Sequence, residues 1–222
     1  MLLAHGGIAT FALHIQLFAC IYIHRIEYVY CERKSHADPF LSCVAKLRAA
    51  LLPRLARCWR LERDLLAELD AVATKRPNAL VIGALGRVGT GASDLCNAMG
   101  VTVTKWDMAE TSRGGPFPEV LEHDIFLNCI LARPGTPVFV PANATIDPRI
   151  LSVIGDIACD PDSDFSPIKV YDRTTSWDAP ALRVHESPVL DVTAIDNLPS
   201  MLPVESSQDF AEQLLPSLLT LN

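Results

Sequence analysis

Four glycines, Gly83, Gly86, Gly89 and Gly91, lie between a strand-like stretch and a helical one, and they constrain this chain more than any other feature. Ala79-Leu-Val-Ile-Gly-Ala84 is short, apolar and β-prone, the pattern of a parallel strand buried on both faces. The glycines follow at G-x-x-G-x-x-G-x-G spacing. A helical stretch then runs from about Arg87 to Met99, with Gly100 as its stop signal. Val101 to Trp106 alternates, is rich in β-formers, and ends on Asp107.

Each part of this unit has a physical task in holding a dinucleotide. Glycine permits a tight turn and lets backbone approach a pyrophosphate with no Cβ in the way. The helix start supplies unpaired N–H donors and the positive end of a dipole. The carboxylate of Asp107 can accept from both hydroxyls of an adenosine ribose and would repel a 2′-phosphate, which favours NAD over NADP. Arg87, inside the loop, can pair with phosphate as a charged donor. The spacing departs from strict G-x-G-x-x-G, because Ala84 and Leu85 precede Gly86. The bland alternative is a tight strand-to-helix turn with no ligand. The acid at the end of the next strand weighs against it.

Composition narrows the field further. About half the residues are apolar and a fifth are charged, as in an ordinary globular protein. The formal net charge is −7. Basic residues gather before Leu66, and acidic residues dominate after it. The acidic part excludes nucleic acid as an expected partner, because phosphate binding needs a basic face. The seven cysteines form no CxxC and are odd in number. They indicate neither a disulfide scaffold nor a zinc site, and they point to a reducing, cytoplasmic setting. No metal site is expected.

Residues 1–75 read as a separate front segment. Met1–Ile23 is apolar and near membrane length, so a signal anchor or transmembrane helix is one reading. His5, His14 and Gln16 interrupt it, Gly6-Gly7 weakens any helix, and no basic residue precedes it. A buried helix or strand, or sequence foreign to the ancestral protein, is preferred. Leu41–Thr74 reads as helix with a break near Pro53.

Beyond Asp107, two runs read as later parallel strands. Asp124–Leu131 ends in polar Asn128 and Cys129, and Ser152–Ala158 leads to Cys159-Asp160. Ligands of open α/β sheets sit beyond the carboxyl ends of strands. Cys129 to Leu131 and Ile157 to Asp160 are therefore placed to touch cofactor or substrate. Cys159 has no base nearby in sequence, and the inert reading is favoured over a nucleophile. His123 and His185 are expected at the surface. Phe210, Leu214, Leu218 and Leu221 share one face of a final helix that Pro216 is expected to make irregular.

Five motifs now stand in order: Gly83–Ala92, Lys105-Trp-Asp107, Glu110–Phe117, Asp124–Ile130 and Ile195–Pro203. Together they resemble the NAD-dependent, lysine-forming saccharopine dehydrogenases, which belong with the alanine dehydrogenase and transhydrogenase group. The likeness runs from about Pro77 to Leu221. That family oxidises saccharopine with NAD and water to lysine and 2-oxoglutarate. Hydride leaves the secondary amine carbon, and the resulting imine is hydrolysed. The resemblance implies that Gly86 and Arg87 line the pyrophosphate and that Asp107 and Thr111 hold the adenosine side. It places Leu131, where the family often has tyrosine, against the cofactor. It places Ile157 near the nicotinamide, and Ala158, Cys159 and Asp160 near the substrate. Ile195, Asp196, Asn197 and Leu198 would form a loop closing over the cofactor. The family's N-terminal lobe carries a lysine base, a histidine acid and substrate-binding arginines. Residues 1–70 are too short for that lobe, and no motif of it is matched, so no catalytic acid or base is assigned here.

The expected architecture is a Rossmann-type, doubly wound parallel sheet over residues 76–190. A short helical front segment precedes it, and an irregular C-terminal closing segment with a helix, residues 191–222, follows. The expected function is a saccharopine dehydrogenase acting on a small-molecule substrate, in an N-terminally incomplete chain. A non-catalytic NAD-binding module and an amino-acid dehydrogenase of the same group with another substrate are the alternatives.

Overall fold

The computed structural model describes residues 77–176, 178–196 and 203–220. The expected apolar run Met1–Ile23 and the expected helix over Leu41–Thr74 lie outside the described residues, as do Asn197, Leu198 and Leu221. Within them, six strands form one sheet in the order β2-β1-β3-β4-β6-β5. The strands are β1 (Asn78–Ile82), β2 (Thr102–Trp106), β3 (Ile125–Asn128), β4 (Val153–Asp156), β5 (Leu182–Glu186) and β6 (Val189–Thr193). All neighbours pair in parallel except β5 and β6, which form an antiparallel hairpin at the edge.

The local sequence explains the central strands. Residues of β1, β3 and β4 are buried along almost their whole length, as expected for strands covered on both faces. Helix α1 (Arg87–Ala98) packs on β1 and β2 through Ala92, Leu95 and Cys96. It ends where expected, with Gly100 in the left-handed region at φ +68. The second face carries no long helix among the described residues. Leu80, Ile82, Phe126, Ile154 and Val192 point there into a core closed by Phe117, Val120, Phe139, Val140, Ala144 and Ile168. Those covering residues come from two 3-10 turns, Pro118–Glu122 and Ala142–Thr145, and the loops around them. Phe139 stands edge-on to both Phe117 and Phe126, with ring centroids 5.6 and 6.3 Å apart. Among the described residues, aromatic area from turns and loops closes this side.

The C-terminal segment is more regular than expected. The sheet continues through Thr193 of β6, and helix α3 (Pro203–Leu218) runs unbroken through Pro216. Pro216 lies in the last turn, where its missing N–H leaves the Glu212 carbonyl without its i→i−4 bond and only two helical residues follow.

Arg149 fastens the hairpin to the sheet. Its Nη1 donates to the carbonyls of Leu151 and Val189, and its Nη2 donates to that of Pro188. Partial burial holds its guanidinium below the usual arginine value. Arg149→Met is expected to cost about 2 kcal/mol, because three carbonyls lose a charged donor together. Urea unfolding followed by circular dichroism checks this; an unchanged midpoint would show that water replaces the guanidinium freely.

Candidate functional site

The register of the parallel strands lines up one edge of the sheet. Trp106 pairs with Ile82, Ile82 with Asn128, and Asn128 with Asp156. The residues that follow each of these, Asp107, Gly83, Cys129 and Ile157, therefore form a row along the carboxyl edge. Gly155 pairs with Thr193, which brings Ala194 and Ile195 into the same row beyond β4. The connections from β1 reverse direction between β2 and β3, so the crevice at a switch point opens above Gly83 and Cys129.

The glycine loop is built by close contact. Gly83 sits at φ +86, and a Cβ there would lie 2.7 Å from Ile130 Cγ2 and 2.8 Å from the Cys129 carbonyl. Its N–H and that of Ala84 donate to the Trp106 carbonyl, at 2.9 and 3.0 Å. Gly86 N–H donates back to the Gly83 carbonyl at 3.1 Å and closes the turn. Gly86 is also the N-cap of α1, and no side chain caps that helix. Leu85, Gly86 and Arg87 are all exposed. The positive end of a three-turn helix thus faces solvent behind a residue with no side chain, which fits an anionic ligand.

Asp107 joins this loop to the end of β2. Its Oδ2 accepts from the Leu85 N–H at 3.0 Å, and its Oδ1 accepts from the Met108 N–H at 2.9 Å. The Glu110 carboxylate accepts from the Asp107 N–H at 2.7 Å, which completes a capping box on the short helix α2 (Met108–Thr111). A carboxylate offers about four acceptor positions. With the Glu110 N–H of the capping box as a third donor beside Leu85 and Met108, about one position is left for a ribose hydroxyl. Thr111 is buried, and its hydroxyl donates to the Asp107 carbonyl at 2.9 Å.

The other expected contacts divide into two groups. Leu131 is 74% exposed beside the end of β3, and Asp160 and Asp196 are exposed. Ile157, Ala158 and Cys159 are half-buried in the loop after β4, whereas Ile195 is buried. Cys159 takes a left-handed φ of +50, and its Sγ donates to the Asp156 carbonyl at 3.2 Å. The neighbouring thiols are held protonated: burial pushes Cys96 up to about 12 and raises Cys129 well above an ordinary thiol. His123 is not free at the surface. Its ring nitrogens lie 2.7 Å from the Glu119 carbonyl and 2.8 Å from Thr104 Oγ1, tying a 3-10 turn to β2.

Sequence reasoning passed over Asp156. It is 1% exposed, at the end of β4. Its Oδ1 accepts from Asn128 Nδ2 at 2.9 Å and from the Ala158 N–H at 3.2 Å, and its Oδ2 accepts from the Tyr171 hydroxyl. Burial pushes its carboxyl up, and these donors offset part of that rise. A charged residue inside an otherwise buried apolar run was the available signal.

Among the described residues no three His, Cys, Asp or Glu side chains gather to hold a metal ion. No helix there is long and apolar enough to cross a membrane.

This sheet, loop and carboxyl edge define a Rossmann-type α/β domain. The chain is 43% identical over 169 residues to the NAD(+), L-lysine-forming saccharopine dehydrogenase of Candida albicans, which covers 72% of this chain and 44% of that protein. With the two below, this likeness makes the chain similar, over most of its own length, to saccharopine dehydrogenases of the NAD(+), L-lysine-forming kind. The Yarrowia lipolytica enzyme of the same name is 43% identical over 168 residues, 73% of this chain and 45% of its own length. The Neurospora crassa enzyme is 36% identical over 225 residues, 98% of this chain and 56% of its own. That last alignment extends into the segment ahead of Pro77, where the motif reading found no counterpart. The chain spans about half the length of these curated relatives. No family model matches it.

Proposed function

We propose that this chain binds NAD along the carboxyl edge of its sheet and serves the saccharopine dehydrogenase reaction of lysine biosynthesis, in the cytoplasm. In that reaction saccharopine, NAD and water give lysine, 2-oxoglutarate and NADH. One observation carries the cofactor reading. The exposed, uncapped start of α1 and the Asp107 carboxylate, bridged by the Leu85 N–H, stand side by side at the carboxyl ends of β1 and β2, next to the switch point. NAD supplies the two-electron oxidant, and the chain's residues supply its place. Gly86 and Arg87 would hold the pyrophosphate, with Asp107 and Thr111 on the adenosine side. Leu131, Ile157 and Ile195 to Leu198 would complete the cofactor site, and Ala158, Cys159 and Asp160 would lie toward the substrate.

Proton transfers in this chemistry need a positioned acid and base, each worth roughly 10²- to 10⁴-fold. None is assigned among the described residues. The 222-residue chain is therefore expected to bind NADH with little turnover of saccharopine. Calorimetric titration with NADH, followed by assays with saccharopine and with alanine, tests this. Absent NADH binding would sink the cofactor reading. Turnover of alanine but not saccharopine would reassign the substrate. Binding with no turnover of either, even when supplemented with the remainder of a relative, would favour a non-catalytic NAD-binding module.

A further inference from the structure

The polar cluster beneath the loop after β4 is unexplained by the fold alone. Asn128, Asp156 and Tyr171 are all buried and come from three separate parts of the chain. Burying a carboxylate costs several kcal/mol unless it is well satisfied, and an apolar side chain would fill the space at less cost. Here the carboxylate accepts from Asn128, Ala158 and Tyr171 at once. Asn128 Oδ1 is buried with no partner among the protein groups.

The cluster reaches the Ile157–Asp160 loop through the Asp156 carboxylate, which Asn128 and Tyr171 hold in place, and the backbone carbonyls beside it hold the rest. The Ile157 N–H donates to the Asn128 carbonyl at 3.1 Å, and the Ala158 N–H donates to the Asp156 carboxylate. The Cys159 thiol donates to the Asp156 carbonyl, with its backbone in the left-handed region. Three consecutive loop residues are tethered to two strand ends. A non-glycine residue keeps a positive φ only where its surroundings enforce it.

The position of this loop follows from the strand order. On the NAD reading above, on which this step rests, the adenosine ribose sits at Asp107 after β2, an edge strand. The pyrophosphate sits over β1 at the start of α1. The rest of the dinucleotide can then extend only across β3 and β4. From β2 to β4 is three strand spacings, about 14 Å at ~4.8 Å each. We propose that Asn128, Asp156 and Tyr171 form a positioning cluster that fixes the Ile157–Asp160 loop for the nicotinamide half of the dinucleotide. The adenosine half is held independently at Asp107 and the glycine loop.

The test compares two ligands that differ by the nicotinamide ring. NADH and ADP-ribose are titrated into the full chain and into Tyr171→Phe and Asp156→Asn variants. Tyr171→Phe keeps the ring in the core and leaves the carboxylate two of its donors, so it carries the test if Asp156→Asn does not fold. The variants are expected to weaken NADH about tenfold while ADP-ribose changes by less than about twofold, since a tenfold loss matches one misplaced polar contact. A merely structural role would weaken both ligands together. Equal losses for the two ligands, or no loss for either, would overturn the proposal. If the parent chain binds ADP-ribose and NADH equally, the loop is not used by nicotinamide; the proposal falls, and the adenosine site stands. If it binds neither, both readings fall together.

Discussion

Gly89→Ala is expected to lower the stability of this chain by about 3 kcal/mol, a large share of the ~5–15 kcal/mol that holds a domain folded. Gly89 lies inside α1, where alanine is normally the better helix former by up to ~1 kcal/mol. Propensity alone therefore predicts a gain. Packing reverses the sign. A Cβ at Gly89 would lie 2.1 Å from the Gly83 carbonyl oxygen and 2.6 Å from Ala84 Cα. Both are backbone atoms of the turn that links β1 to α1, and that turn is fixed by Gly83 and Ala84 donating to the Trp106 carbonyl. No side-chain rotation relieves the clash, so helix and strand must separate. Gly86→Ala is the matched control. Its Cβ would meet only the Gly83 oxygen, at 3.3 Å, and the residue is exposed. That variant should stay within about 1 kcal/mol of the parent. Urea midpoints followed by circular dichroism measure both. A Gly89→Ala chain as stable as the parent would mean that α1 does not approach the turn this closely.

Gly89 also shows why this part of the fold was legible. Its meaning is local: an apolar run, a glycine, a helix and an acid follow one another within thirty residues, and each signals the next. The strands β3 and β4 were readable for the same reason, since continuous apolar runs mark buried parallel strands. The hairpin of β5 and β6 was not. Its turn, Ser187-Pro188, is not one of the glycine-containing pairs that announce a hairpin. The buried Asp191 reads as a turn residue until its partner Arg183, on the opposite strand, is known. The second face was hidden too, because Phe117, Phe139 and Ile168 cover it from segments with no helical period. The site followed the same division. Asp107 and the glycines announce themselves by spacing. Asp156 stands out locally only as a charge in an apolar run; its partners lie 28 residues before it, at Asn128, and 15 after it, at Tyr171, so no local pattern reveals what it does.

Asp107→Asn is expected to change which cofactor the chain prefers more than how firmly it folds. Asparagine caps a helix about as well as aspartate. Its one carbonyl oxygen can keep either the Met108 or the Leu85 N–H, and stability should fall by only about 1 kcal/mol. On the proposed reading, the lost negative charge has two consequences for ligands. The ribose hydroxyls lose a charged acceptor worth roughly 1.5–3 kcal/mol, which is a ~10- to 150-fold weaker NADH. The 2′-phosphate of NADPH meets less repulsion, so its affinity should hold or rise. The ratio of the two dissociation constants is thus the readout. The parent chain should favour NADH, and the variant should lose most of that preference. A purely structural Asp107, one that only braces Leu85 and caps α2, would weaken both cofactors by the same factor and leave the ratio where it was. Fluorescence titration of NADH and NADPH against both chains separates the two. An unchanged ratio would remove Asp107 from the ribose site and leave the uncapped start of α1 as the remaining anchor for a dinucleotide.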